Sequence, residues 1–123
     1  MAAHRPLSAE HTAYLASRMT EVSRSFALVV PRIEKLKVGP YTAGNDVDYG
    51  PLVTGAAMER VKGLITSGVE QGAELVMDGR DFRLQGYEKG FFVGPTLFDR
   101  ATRDMDIYRE EIFGPVLTTV RAK

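Results

Sequence analysis

The residues best suited to chemistry in this sequence stand together near its end, in the run Glu110-Glu111-Ile112-Phe113-Gly114-Pro115. A carboxylate accepts hydrogen bonds through two oxygens and so matches a pair of adjacent hydroxyls. An aromatic ring two residues further on offers a flat apolar face to another planar ring. The carboxylates of Glu110 and Glu111 and the ring of Phe113 are residue types of that kind. Gly114-Pro115 would turn the chain into the element that follows. The plainer alternative is a solvated acidic pair followed by a core phenylalanine.

Several other chemistries find no residues to carry them. The sequence has no cysteine, which rules out disulfides, cysteine zinc sites and a thiolate nucleophile within it. Its two histidines, His4 and His11, have no partners at metal-ligand spacing and read as exposed polar residues, so no metal site is expected. No glycine-rich phosphate loop is present; Gly39, Gly44 and Gly50 do not fit one. No catalytic residue is assigned. Sixteen basic residues balance sixteen acidic ones, and without a basic cluster there is no electrostatic footprint for nucleic acid or an anionic membrane. The longest apolar run, Phe26 to Val30, is far too short to span a bilayer. The opening Met-Ala-Ala-His-Arg-Pro lacks the apolar stretch of a secretory signal. A cytoplasmic protein is expected.

These residues need a scaffold. A chain of 123 residues with 44% hydrophobic and 26% charged residues has room for one domain and enough apolar surface to close a core. From Ser8, a plausible cap, to about Val38, the positions Leu15, Met19, Val22, Phe26, Val29, Ile33 and Leu36 alternate spacings of four and three, the pattern of one helical face. Pro31 should break or kink that helix near Val30, giving two helices of which the second should end at Gly39-Pro40. Residues 40–53 are rich in turn formers and read as loop. Thr54 should cap a helix whose stripe is Ala57, Met58, Val61, Leu64, Ile65, Gly68 and Val69, with Gly63 on its polar side and Gly72 as the stop. A short strand at Glu74 to Met77 follows. Phe91-Phe92-Val93 and Thr96-Leu97-Phe98 read as strands parted by Gly94-Pro95. Asp104 to Tyr108 reads as one helical turn, and Val116 to Arg121 as a last strand rich in β-branched residues. The alternation of helices and strands says α/β.

From about Lys35 onward a series of short motifs occurs: Lys35-Leu-Lys-Val-Gly39, Tyr49-Gly-Pro-Leu-Val53, Met58-Glu-Arg-Val-Lys-Gly-Leu-Ile65 and Gly72-Ala-Glu-Leu75. They are followed by Gly90-Phe-Phe-Val-Gly-Pro-Thr-Leu-Phe98, Asp104-Met105 and Glu110-Glu-Ile-Phe-Gly-Pro-Val116. Their order resembles the aldehyde dehydrogenase superfamily over about three-quarters of the chain. Asp78-Gly-Arg-Asp-Phe82, Leu84-Gln-Gly-Tyr87 and Met105-Asp-Ile-Tyr108 are most similar to its CoA-acylating methylmalonate- and malonate-semialdehyde dehydrogenases.

The resemblance implies a reaction in which a semialdehyde, NAD and coenzyme A give an acyl-CoA, NADH and carbon dioxide. It also implies that Glu111 holds the nicotinamide ribose and that Phe113 packs by the nicotinamide ring. In this family a cysteine attacks the aldehyde and a βαβ domain binds the dinucleotide. Neither the cysteine nor a sequence for that domain is found here. Residues 35–123 are therefore expected to be a fragment of the catalytic domain, partial in its α/β fold and inactive by itself.

The residues before Lys35 do not look like the dehydrogenase. Tyr14-Leu15, Val22-Ser-Arg-Ser-Phe-Ala-Leu28 and the following Pro31 resemble the opening helices of squalene/phytoene synthases, so residues 1–34 are expected to be a helical segment of different origin, joined near Glu34-Lys35. The aspartate motifs of that family are not found; Asp46 and Asp48 have the wrong spacing. Two alternatives accompany the dehydrogenase expectation: a non-catalytic module that docks on intact dehydrogenase subunits, and a prenyl-transfer-like remnant.

Overall fold

The computed structural model describes residues 21–122. Ser8, Leu15, Met19 and the two histidines lie outside that range, so the expected start of the first helix is not described. Among the described residues, four helical segments and three strands follow in order: α1 (Glu21–Glu34), a 3-10 segment (Tyr41–Asp46), α2 (Gly55–Glu70), β1 (Glu74–Met77), β2 (Thr96–Asp99), α3 (Asp106–Arg109) and β3 (Val116–Thr118). The strands form one mixed sheet in the order β1-β2-β3, antiparallel between β1 and β2 and parallel between β2 and β3. The α/β class expected from the sequence is the class observed. No helix among the described residues is long and apolar enough to cross a membrane.

β2 is the centre of the molecule, with all of Thr96, Leu97, Phe98 and Asp99 buried. Successive strand residues point to opposite faces, and here each face has its own helix. Phe98 looks toward α2, where Val61 and Ile65 are buried with it and Val116 packs alongside. Leu97 looks the other way, into a cluster formed by Phe26 and Val30 of α1 with Val76 and Met77. Val76 and Met77 are neighbours yet share that cluster, because the β1–β2 register shifts between Leu75 and Met77. Burying each Val, Ile or Phe side chain in these layers contributes roughly 1.5–3 kcal/mol.

α2 begins and ends as its sequence demands. The Thr54 hydroxyl accepts a hydrogen bond from the Ala57 N–H at 3.0 Å, satisfying one of the free donors of the first turn. At the other end Gly72 takes φ 102°, a conformation that favours glycine. The Ala73 N–H donates to the Gly68 carbonyl at 3.0 Å and the Gly72 N–H to that of Val69 at 3.1 Å, the paired bonds of a Schellman motif. Gly68 has a separate task. A Cβ there would lie 2.8 Å from the Phe98 ring, so only glycine lets α2 sit this low on β2.

Four expectations are corrected. α1 is not broken at Val30: it runs through Pro31 and stops at Glu34 rather than at Gly39. Pro31 ends the helix within a turn instead of splitting it, and the exit is tightened by Lys35 N–H to Arg32 O and Leu36 N–H to Ile33 O bonds of 3.2 and 3.0 Å. Phe91-Phe92-Val93 is not a strand. Its polar groups are taken by loops: the Phe91 carbonyl accepts from the Leu52 N–H at 2.8 Å, and the Val93 carbonyl from the Tyr49 hydroxyl at 2.9 Å. β3 stops at Thr118, three residues short of Arg121: its partner β2 ends at Asp99 and Arg100 interrupts the ladder at φ 56°, although the Ala101 N–H beyond it still donates to the Thr119 carbonyl at 3.1 Å. The 40–53 segment is also more than loop, since Val38 and Tyr49 form a parallel bridge.

Candidate functional site

The run 110–115 leaves α3 and enters β3, and the fold anchors both ends. Upstream, the Asp106 carboxylate accepts bonds from the Ser67 hydroxyl at 2.6 Å and the Gln71 amide at 3.2 Å, both on or beside the last turn of α2. The Asp106 N–H in turn donates to the side-chain oxygen of Gln71 at 2.8 Å. This reciprocal clamp fastens α3 to α2. Downstream, the Pro115 carbonyl accepts from the Thr96 N–H at 2.9 Å, joining the run to β2.

Past β3 the tail is held by an ion pair. Arg121 donates to both oxygens of Asp99 at 3.1 and 2.6 Å, and the Asp99 side chain is fully buried. A two-pronged, charge-assisted contact of this kind is directional as well as strong. The exit from β3 is thereby tied to the end of β2.

Between these anchors the backbone zigzags. The Glu110 N–H closes α3 on the Asp106 carbonyl at 2.8 Å, and two tight turns follow, Gly114 N–H to Ile112 O at 2.9 Å and Val116 N–H to Gly114 O at 2.8 Å. Ile112 turns inward against the α2 cluster, while Glu111 is exposed and Phe113 is 72% exposed. Gly114 rests on α2: a Cβ there would come within 3.1 Å of both Val61 methyl groups.

The two residues named from sequence are thus brought together as an outward-facing pair flanking an inward isoleucine. Phe113 is not the core phenylalanine of the plainer alternative. No hydrogen bond or ion pair among the described residues engages the Glu111 carboxylate. Both groups are free to meet a ligand, the carboxylate with two acceptor oxygens and the ring with an open face. No further part of the described structure offers a glycine-rich phosphate cradle.

Three features escaped the sequence. Arg60 reaches from α2 to donate to the Glu111 carbonyl at 2.9 Å, and its guanidinium lies 3.9 Å from the Glu110 carboxylate. The Ser67–Gln71–Asp106 clamp is the second. The third is a groove of about 280 Å³ lined by Met58, Lys62, Phe82, Arg83, Tyr87 and Phe92, among others; neither Glu111 nor Phe113 lines it. The Arg60 contact spans 51 residues, and no local pattern marks it. Among the described residues no group of three His, Cys, Asp or Glu side chains could hold a metal ion.

Electrostatics elsewhere concerns structure. Burial pushes the Tyr49 phenol well above its usual range, so it remains a donor to the Val93 carbonyl. The Asp104 carboxyl is held below its usual range by the Thr102 hydroxyl that donates to it. The Arg80 guanidinium is raised by its hydrogen bonds to Asp78. Asp48, one of the two loop aspartates, uses its carboxylate to accept from the Lys37 N–H at 2.8 Å.

The aldehyde dehydrogenase family model matches residues 14–123, which takes in the whole of α1 as well as the motifs after Lys35. The chain is 58% identical over 95 residues to a malonate-semialdehyde dehydrogenase of Pseudomonas aeruginosa, covering 77% of this chain and 19% of that one. It is 49% identical over 92 residues to the mitochondrial acylating methylmalonate-semialdehyde dehydrogenase of Arabidopsis thaliana, covering 73% and 15%. Among solved structures, one described as a methylmalonate-semialdehyde dehydrogenase from Sinorhizobium meliloti in complex with NAD superposes with a TM-score of 0.78 at 56% identity, over 83% of this chain and 21% of that one. An aldehyde dehydrogenase of Mycobacterium tuberculosis in complex with NAD+ superposes with a TM-score of 0.68 at 40% identity, over 76% and 19%. The chain spans about a fifth of the length of the relatives it matches.

Proposed function

The chain belongs to the aldehyde dehydrogenase family, and from that premise we propose that it is the part of an NAD-dependent, CoA-acylating semialdehyde dehydrogenase that presents Glu111 and Phe113 to the nicotinamide end of the cofactor. The observation that carries this is the outward pairing of the two side chains on a run anchored at both ends. The names of the relatives supply the substrate class, malonate or methylmalonate semialdehyde, and the word acylating in one of them accords with coenzyme A as the acyl acceptor. NAD, when bound, accepts the hydride. The Glu111 carboxylate would accept hydrogen bonds from the ribose hydroxyls, and the Phe113 ring would cover one face of the nicotinamide.

These 123 residues contain no thiol, so they cannot form the covalent adduct that activates an aldehyde in this chemistry. By themselves they are expected to turn over no semialdehyde. With only the nicotinamide end of a cofactor site present, NAD binding should be in the millimolar range. A cytoplasmic setting belongs to the same proposal, as does a junction near Glu34-Lys35 with residues 1–34 of different origin, against which stands the match of the family model from residue 14. α1 then serves as the cover of the Leu97 face whatever its origin.

Two measurements on the purified chain test this. Incubation with malonate semialdehyde, coenzyme A and NAD should give no NADH above the blank, and CoA-dependent NADH formation would overturn the expectation of inactivity. An NMR titration with NAD to about 10 mM, a range suited to a weak site, should move the amide signals of Glu111 and Phe113. Signals that stay still there, or move only elsewhere, would remove the cofactor role.

A second reading has one observation in its favour. β3 is an edge strand with Leu117 half exposed, and an open edge can pair with another chain. A module docking on intact dehydrogenase subunits would co-purify with the full enzyme, and failure to do so would dismiss it. No feature of the described structure speaks for prenyl transfer.

A further inference from the structure

We propose that Arg60 is a positioning residue for the Glu111–Phe113 pair, acting through the backbone carbonyl of Glu111; this rests on the cofactor role given to those two residues. Arg60 stands one position before Val61, which is 1% exposed beneath Phe98 in the main core. Its own side chain is 45% exposed. It is therefore an arm carried by a rigid helix and reaching over the surface to the run 110–115.

Two contacts compete to explain that reach. The guanidinium lies 3.9 Å from the Glu110 carboxylate, whose side chain is 59% exposed. An exposed pair at that distance is heavily screened and contributes little. The bond to the Glu111 carbonyl is 2.9 Å long and charge-assisted. Glu110 is the bystander, and the carbonyl is the object held.

The run needs such a tether. The backbone N–H groups of Glu111, Ile112 and Phe113 have no backbone partner among the described residues. Between the Glu110 N–H, bonded to α3, and the Gly114 N–H, bonded within its own turn, the polar link to the rest of the described structure is Arg60 to Glu111. Ile112 adds an apolar contact below, but a single side chain in a core leaves the peptide plane above it free to rock. Fixing the carbonyl of Glu111 fixes the plane shared by residues 111 and 112. Glu111 leaves the backbone at one end of that plane, and Phe113 follows one peptide beyond its other end, across Ile112, whose side chain packs against the α2 cluster. A carboxylate that must meet two hydroxyls while a ring meets a base depends on their mutual orientation more than on either alone.

Lysine can keep the charge and one donor but not the planar fork. Methionine keeps an unbranched stem and removes every N–H donor. The variants Arg60→Met, Arg60→Lys and Glu110→Gln therefore separate donor, charge and bystander. The experiment is ¹⁵N relaxation of the full chain and of each variant, followed by NAD titration of the same samples. In Arg60→Met the order parameters of Glu111, Ile112 and Phe113 should fall from about 0.85 to below about 0.6, while those of β2 stay unchanged. Arg60→Lys should recover much of the loss, and Glu110→Gln should leave the values at wild type. The NAD-induced shifts at Glu111 and Phe113 should weaken about tenfold in Arg60→Met and return in Arg60→Lys.

Unchanged order in Arg60→Met overturns the proposal, as does an equal loss in Glu110→Gln. Loss of order with NAD shifts intact overturns it too, since the tether would then be structural only. If wild-type Glu111 and Phe113 do not respond to NAD, the cofactor role is what fails, and the relaxation data still decide whether Arg60 holds the run.

Discussion

The crossing of α2 over β2 and the run 110–115 lie a few ångströms apart and obey opposite rules. At the crossing, Val61, Ile65, Phe98 and Ile107 are each under 5% exposed, and even a hydrogen is chosen for its size at Gly68. In the run, Glu111 and Phe113 stand in solvent and touch little of the protein. The first region is determined by what it excludes, the second by what holds it from outside. Side chains held by a tethered backbone remain available to a ligand; side chains that make the core do not.

The comparison is broken most violently at Phe98. Phe98→Ala removes the ring on which α2 rests and should cost about 3–5 kcal/mol, read as a collapse of the urea midpoint at unchanged slope. A loss under about 1 kcal/mol would mean that the sheet and α2 do not share one cooperative core.

Smaller and more pointed is the contrast between two glycines of α2. Alanine is favoured over glycine in a helix by about 1 kcal/mol. At Gly63, where nothing lies within 4 Å of an added Cβ, Gly63→Ala should raise stability by about that amount. At Gly68 the new methyl would meet the Phe98 ring at 2.8 Å and Ile107 at 3.0 Å, both buried and unable to yield. Overpacking of that kind costs about 1–3 kcal/mol, so Gly68→Ala should be net destabilising. Thermal melts that move in the same direction for both variants would contradict the close approach of α2 to β2.

The smallest effect on stability belongs to the run. Glu111→Gln and Phe113→Ala should each change unfolding free energy by less than about 0.5 kcal/mol. Both should abolish the response of the run to NAD. A marked destabilisation by Phe113→Ala would mean that the ring has a partner that its exposure conceals.

Much of α2 was legible before any fold was known. Its boundaries are set by Thr54 and Gly72 through bonds that span three to five residues, and its buried stripe follows from helical spacing. The pair Glu111 and Phe113 was named only through the resemblance of its motif to the family, since by residue type alone the run reads as a solvated acidic pair before a core phenylalanine. Pro31 misled because its local penalty at Val30 is real, yet the packing of Phe26 and Val30 against Val76, Met77 and Leu97 keeps the helix intact around it. Phe91-Phe92-Val93 misled because its composition suits a strand, while a strand exists only where another backbone offers a ladder, and none of the described residues does so here.

What the amino-acid sequence determined by itself was therefore local: the capped helix, the central apolar strand, the turn-rich connections, the family motifs in their order and the absence of a thiol. Each depends on interactions within a few residues or on composition alone. What only the tertiary structure decided was long-range: the Asp99–Arg121 pair across 22 residues, the fit of Gly68 under Phe98, and the reach of Arg60 to Glu111 across 51. Such contacts arise when folding closes large loops, and their partners are chosen by geometry in space rather than by spacing along the chain.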